Sequence, residues 1–168
     1  MASGRLANIH AMPELVIRAD DLSDERTRAL VARHLRGMLE NTPPEGIFAL
    51  DIDRLKAPAV TFWSGWVGSE VAVIGALQTL DSDNGELKSM RVADAHLGAG
   101  YGRAMLTHIV AEASRRGMRR LWLETGSTSD FAAARALYAS AGFMECDRFG
   151  GYPESEFSVY MTRRIART

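Results

Sequence analysis

Cysteine is nearly absent from the sequence, and no excess of charge of one sign is present. Cys146 is the single cysteine among 168 residues. It excludes an intramolecular disulfide framework and a cysteine-rich zinc site, so we predict no metal. A lone thiol also fits a reducing compartment, and we predict a cytoplasmic location. The 20 Lys and Arg residues against 21 Asp and Glu residues give no bulk field for a nucleic-acid partner.

Long apolar runs are also missing. The longest, such as Val71–Leu77, fall far short of a membrane span, so we predict no membrane partner. Met1–Pro13 lacks the basic region and following apolar region of a signal peptide. The composition, 46% apolar and 24% charged, is that of a globular domain. We therefore expect a flexible N-terminal tail over residues 1–13 and one domain over residues 14–168.

The first half of the chain predicts mainly antiparallel strands. Ser23 or Asp21 is predicted to cap a helix that ends at Asn41, just before the prolines at 43 and 44. Gly46–Leu55 is a second helical candidate. The strands are predicted at Leu15–Arg18, at Val60–Val67 and Val71–Thr79 as a hairpin, and at Gly85–Val92.

The second half alternates strands and helices. Apolar residues with helical spacing predict a helix over Gly102–Arg116, closed by Gly117. The remaining elements are predicted at Arg120–Glu124 (strand), Ser129–Ala141 (helix), Phe143–Phe149 (strand) and Phe157–Met161 (strand). This order predicts a mixed α/β fold around one sheet.

Alternate glycines at 98, 100 and 102 precede the strongly periodic helix. Such a loop lets the backbone approach a ligand, and the free N–H groups of the helix favour an anion such as phosphate. A plain flexible turn is the alternative. A nucleoside triphosphatase loop is excluded because Arg103-Ala104 stands where Lys-Ser/Thr is needed. A dinucleotide site would use Glu124 for the ribose, but its third glycine is replaced by Arg103.

From Leu15 to Arg164, the sequence resembles the GNAT superfamily of N-acetyltransferases. Gly100 and Gly102 match the two glycines of the family's pyrophosphate motif, while Leu97 replaces its Gln or Arg. Leu137–Phe143 matches the family's Leu-Tyr-x-x-x-Gly-Phe motif in full. Phe131 stands where the family often has Asn. Similar stretches also occur in a bacterial subgroup of acetyltransferases.

The resemblance implies a GNAT-type single domain, with a central, mostly antiparallel mixed sheet flanked by helices. Its strands Gly85–Val92 and Arg120–Glu124 would run parallel and splay apart around acetyl-CoA, the predicted co-substrate. The pantetheine arm is expected at Met90, Arg91 and Val92, with Phe131 nearby. The pyrophosphate is expected on Leu97, Gly98, Ala99, Gly100, Tyr101, Gly102 and Arg103.

The resemblance also implies a direct attack of a primary amine on the thioester. By family correspondence Tyr138 is the general acid that protonates the leaving thiolate, unless it is only a core residue. Glu86 and Glu124 are both candidates for the base or for ordering a relay water. Either carboxylate could instead form a structural pair, for instance with Lys88. His34 is a candidate for the acceptor pocket or for a solvated helix face.

We therefore predict an N-acetyltransferase whose partner is a small-molecule or protein amine. The alternative is a non-catalytic acetyl-CoA sensor or interaction module on the same fold. Homodimers are common in the family, so a homodimer is also an expectation.

Overall fold

The computed structural model describes residues 13–166. The predicted N-terminal tail lies, except for Pro13, outside the described residues. The strands are β1 (Leu15–Ala19), β2 (Val60–Val67), β3 (Glu70–Thr79), β4 (Asn84–Val92), β5 (Arg120–Gly126), β6 (Met144–Cys146) and β7 (Ser158–Arg164). The helices are α1 (Glu25–Asn41), α2 (Ile52–Leu55), α3 (Tyr101–Arg115) and α4 (Ala132–Ser140). Short 3₁₀ turns cover Pro44–Gly46, Asp94–His96 and Ser129–Phe131.

One seven-stranded sheet organises the described chain, in the order β1-β2-β3-β4-β5-β7-β6. All neighbouring strands are antiparallel except β4 and β5, which are parallel. The parallel pair requires a crossover, and α3 supplies it. This arrangement confirms the predicted mixed α/β fold class.

Both faces of the sheet are covered. Along β3, Val73 and Leu77 pack with Ile109 of α3 in one apolar cluster, while Ile74 belongs to a second cluster with Val31 of α1. The alternation follows from the two-residue repeat of a strand. Because β3 is buried on both sides, its sequence is apolar almost without interruption.

The parallel pair is short. Only Asn84, Gly85 and Glu86 of β4 pair with β5. Beyond Glu86 the two strands separate, as the resemblance implied. A β-bulge accompanies the separation: between Ile74 and Ala76, β3 has one residue where β4 has two, and Ser89 there has φ +55°. Bulges bend a strand and redirect its groups, so this one aims part of β4 into the gap.

Three of the predicted boundaries were wrong. The cap of α1 is Asp24, whose carboxylate accepts from the Arg26 N–H at 2.8 Å. Asp21 and Ser23 instead form a turn before it. Gly46–Leu55 is helical only at its two ends. The strand predicted over Phe143–Phe149 is reduced to three residues, since the following stretch forms a loop.

None of the helices within residues 13–166 is both long and apolar enough to cross a membrane.

Candidate active site

A cavity of about 460 Å³ lies where β4 and β5 separate. α1, α4 and the loop between β6 and β7 complete its walls. Nine of the predicted site residues line it: Glu86, Met90, Arg91, Val92, Leu97, Gly102, Glu124, Phe131 and Tyr138. Residues from six separate segments of the chain therefore meet in one cleft.

Five other predicted residues form the loop next to the cleft and do not line the cavity. They are Gly98, Ala99, Gly100, Tyr101 and Arg103. Gly98 and Gly100 have φ +78° and +83°, and a Cβ on either would meet no atom within 4 Å. These glycines are thus used for their backbone conformation and leave open space in front of the loop. α3 begins directly after them, with its free N–H groups.

Gly102 and Arg103 join this loop to α4. A Cβ on Gly102 would lie 3.3 Å from both Leu137 and Val92, so glycine allows α3 to approach its neighbours closely. The Arg103 guanidinium donates to the Ser140 hydroxyl at 2.8 Å. Arg103 therefore braces two helices.

Phe131 can lie at the cleft because residue 126 is a glycine and leaves space for its ring. Any Cβ on Gly126, at the end of β5, would overlap the Phe131 ring. The ring thus packs directly against the backbone of Gly126.

Tyr138 lies on α4 and is 8% exposed. Its ring contacts Phe143 edge to face, with centroids 6.0 Å apart. Burial, and secondly the charge of Glu124, raises the pKa of the phenol above its usual value. The hydroxyl consequently stays protonated at neutral pH and can donate a proton.

Glu86 is buried in a polar network. The Tyr152 hydroxyl donates to its carboxylate. The Lys88 ammonium lies 3.1 Å from the same carboxylate oxygen and donates to the Tyr152 oxygen at 2.6 Å. Burial, and then the charge of Glu86, raises the pKa of Tyr152. Both Glu86 and Lys88 are thus already engaged within the protein.

Glu124 has a different environment. Its carboxylate accepts from the Ser158 hydroxyl at 2.9 Å and forms no ion pair within the described residues. Burial is the main cause that raises its pKa to about 7; the charge of Glu86 adds to this effect, and Lys88 opposes it. A carboxyl group with this pKa can take or give a proton near neutral pH.

Sequence reasoning missed Tyr152 and Ser158. Tyr152 lies in an irregular loop, and its partner Glu86 is 66 residues away. The periodicity of the strands carries no signal for such a contact. His34, one of the sequence candidates, does line the cavity, and burial lowers its pKa to about 4.

Comparison with known proteins relates most of the chain to one family. The profile of the acetyltransferase (GNAT) family matches residues 20–143. The uncharacterized N-acetyltransferase YsnE of Bacillus subtilis is 46% identical over 149 residues, 89% of this chain and 99% of that protein. The uncharacterized N-acetyltransferase YedL of Escherichia coli is 46% identical over 144 residues, 84% of this chain and 91% of that protein.

Solved structures share the fold at lower identity. The ribosomal-protein-S18-alanine N-acetyltransferase of Escherichia coli superposes with a TM-score of 0.67 at 22% identity, over 92% of this chain and 96% of that one. A GNAT family acetyltransferase of Elizabethkingia anophelis with acetyl-CoA bound gives a TM-score of 0.60 at 16% identity, over 89% and 97%. Fold, motifs and relatives agree: this chain belongs to the acetyltransferase (GNAT) family.

Proposed function

We propose that the protein transfers an acetyl group from acetyl-CoA to a primary amine by direct attack. The observation that carries the proposal is the cavity between β4 and β5. It brings a buried phenol (Tyr138), a carboxyl group with a pKa of about 7 (Glu124) and the unpaired backbone of β4 to one place.

Acetyl-CoA fits the groups that surround the gap. The open glycine loop at the start of α3 offers N–H groups to the pyrophosphate. The stretch of β4 beyond Glu86 has no partner in β5, so its backbone is free to pair with an extended chain. The related structure from Elizabethkingia anophelis contains acetyl-CoA. When bound, acetyl-CoA would supply the reactive thioester.

We infer that Glu124 is the base. An alkyl ammonium is almost wholly protonated at pH 7, so it must lose a proton before it can attack. Glu124 is free of ion pairs within residues 13–166, and its pKa of about 7 suits proton uptake. Glu86 is the weaker candidate because Lys88 and Tyr152 already occupy its carboxylate.

We infer that Tyr138 is the acid. In the overall reaction the amine nitrogen forms an amide bond and the carbon–sulfur bond breaks. Starting from the ammonium, the nitrogen loses two protons: the first passes to Glu124 and on to solvent before the attack, and the second leaves the tetrahedral intermediate. The departing sulfur takes a proton from Tyr138, and the second proton, relayed through water, restores the Tyr138 phenol, so that one proton is released overall. The raised pKa of Tyr138 keeps the phenol protonated until the sulfur leaves. N–H groups of Met90–Val92 would stabilise the oxyanion.

Thermal unfolding and thiol release test this function together. At a hundredfold excess over Kd, acetyl-CoA should stabilise the protein by about 2.7 kcal/mol. This corresponds to an increase in Tm of about 5–10 °C, whereas NADH should leave Tm unchanged. A panel of amines should then release free thiol from acetyl-CoA.

The outcomes separate the alternatives. An unchanged Tm with acetyl-CoA contradicts the proposal. An increased Tm with no thiol release from any amine would favour the sensor. The homodimer and the cytoplasmic location stay predictions.

A further inference from the structure

We propose that the acceptor is a primary amine with an apolar body and with no carboxylate on the carbon that bears the amine. This inference rests on the proposed function and concerns the acceptor end of the same cavity. A free amino acid would place a carboxylate there, whereas a decarboxylated amine or an amine followed by an amide would not. The charges that line the cavity carry the argument.

Lys88, the first cation of the cavity wall, is already neutralised. Its ammonium lies 3.1 Å from the Glu86 carboxylate and 2.6 Å from the Tyr152 oxygen. The side chains of Lys88 and Glu86 are only 12% and 5% exposed. Separating a buried pair leaves an uncompensated charge, so an incoming carboxylate would have to compete with Glu86.

Arg91, the second cation, is also held. Its guanidinium lies over Gly37 of α1, where a Cβ would come within 2.8 Å of Nη1. It bonds to Asp94 at 3.5 Å, and Arg33 shares the same carboxylate at 3.1 Å. Asp94 therefore neutralises part of this positive charge. The absence of a side chain at Gly37 leaves room for the guanidinium against α1.

His34 adds no positive charge. Burial, with a contribution from Arg91, lowers its pKa to about 4, so the imidazole is neutral at pH 7. Within residues 13–166, no further Lys, Arg or His lines the cavity. Lys88 is thus paired with Glu86, and Arg91 shares Asp94 with Arg33, so a carboxylate that enters the cavity would have to compete with these pairs.

Glu124, in contrast to these cations, has no oppositely charged partner in contact with it among the described residues. It lines the cavity, and within the described residues it accepts from the Ser158 hydroxyl and forms no ion pair, while Lys88 acts on it only from a distance. Asp130 contributes a further negative charge to the wall. An ammonium group would therefore compensate a charge at this end, whereas a carboxylate beside it would add a further negative charge to the one that Glu124 carries when ionised and to that of Asp130.

Aromatic side chains define the rest of the acceptor end. Phe48 and Tyr152 both line the cavity, and their rings contact each other edge to face with centroids 5.3 Å apart. Tyr152 also contacts Phe149 at 5.2 Å. An apolar body next to the amine would gain from burial against these rings.

Three matched pairs of acceptors test the inference: phenylalanine and phenethylamine, tyrosine and tyramine, and leucine and 3-methylbutylamine. Each amine differs from its amino acid only by the carboxylate and is at least as basic. At a given pH no larger fraction of it is unprotonated, so a preference for the amine cannot come from its protonation state. We expect kcat/KM to be about 10-fold to 100-fold higher for the amine of each pair. Phenylalaninamide, which has an amide in place of the carboxylate, should also have a higher kcat/KM than phenylalanine when both values are calculated per concentration of unprotonated amine.

Glu86→Gln provides the sharper test, because it releases Lys88 to receive a carboxylate. In this variant we expect the amine-to-amino-acid ratio to fall by about tenfold. Glu145→Gln makes the same chemical change on exposed β6 outside the cavity, and it should keep the wild-type ratio.

Calorimetric titration with coenzyme A present measures the same preference without turnover. Binding of the amines without thiol release would contradict the proposed function and support the charge preference. Equal or stronger binding and turnover of the free amino acids would overturn the inference, and so would binding of neither member of any pair.

Discussion

The cleft has two ends that are built in different ways. The loop over residues 97–103 is one continuous stretch, largely exposed, that leads into a 15-residue helix. The acceptor end combines Lys88 of β4, Glu124 of β5, His34 of α1 and Tyr152 of a late loop. A continuous stretch can be recognised from sequence because its function depends on local backbone geometry. A site assembled from distant segments depends on which charges the fold brings together.

A single substitution in the glycine loop should abolish the binding of coenzyme A. Gly100→Asp adds a side chain and a negative charge where we propose that the backbone approaches the pyrophosphate of coenzyme A. We expect the affinity for coenzyme A to fall by at least about a thousandfold, close to abolition. Isothermal titration calorimetry measures this loss directly.

Gly117→Asp is the matched control. Gly117 lies at the other end of α3, has φ +81°, and also has no atom within 4 Å of a Cβ position. Both variants carry the same left-handed backbone strain of about 1 kcal/mol. If both lose coenzyme A equally, or if neither does, the phosphates do not bind at Gly100.

Tyr138 lies between the two ends, so Tyr138→Phe tests the chemical step. The ring and its packing on Phe143 remain, while the proposed proton donor is lost. We expect kcat to fall by about 10²–10⁴, with little change in the KM of the acceptor or the affinity for coenzyme A. A kcat within about threefold of wild type would make Tyr138 a packing residue.

The acceptor end should make stability depend on pH. Glu124 has a pKa of about 7 in the folded protein, against an ordinary value of 4.5. The folded state therefore binds more protons between these values, so stability falls as pH rises through this window and levels above pH 7. Glu124→Gln removes this loss. Between pH 5 and pH 8, we expect the free energy of unfolding of the wild type to fall by about 2 kcal/mol more than that of Glu124→Gln.

Denaturant titrations at pH 5 and pH 8 measure this gain. The exposed variant Glu145→Gln should keep the wild-type difference between the two pH values. If Glu124→Gln also keeps it, Glu124 is solvated and does not have the environment of a base near neutral pH. The acid limb of the wild-type kcat/KM profile near pH 7 provides an independent measurement.

The fold and the loop could be predicted because their signals are local. The apolar run of β3, the stripe of α3 and the motif around Tyr138 each lie within a few turns or one strand. The errors also have local causes: Asp24 competes with two other polar residues as the cap of α1. The strand after Phe143 ends early because residues 147–157 form a loop that reaches back to β4.

The charge state of the acceptor end could not be predicted. Glu86 and Glu124 look equivalent in the sequence, since each is a carboxylate on a strand beside the cleft. Lys88 and Tyr152 distinguish them, and Tyr152 reaches Glu86 across 66 residues. The sequence shows that Lys88 follows Glu86 by two residues on the same strand. Two such side chains lie on the same face of the sheet, but this spacing alone does not show that they form an ion pair.

The short parallel pairing of β4 and β5 also has a consequence for amide hydrogen exchange. Three residue pairs join the two halves of the sheet at its middle. Beyond these pairs, the amides of residues 88–92 that point away from β3 form no hydrogen bond with β5. They should exchange quickly in the free protein, although they lie in the centre of the sheet, while the amides of β3 exchange slowly. A fast patch inside a slow sheet would therefore mark the cleft in solution before any acceptor is known.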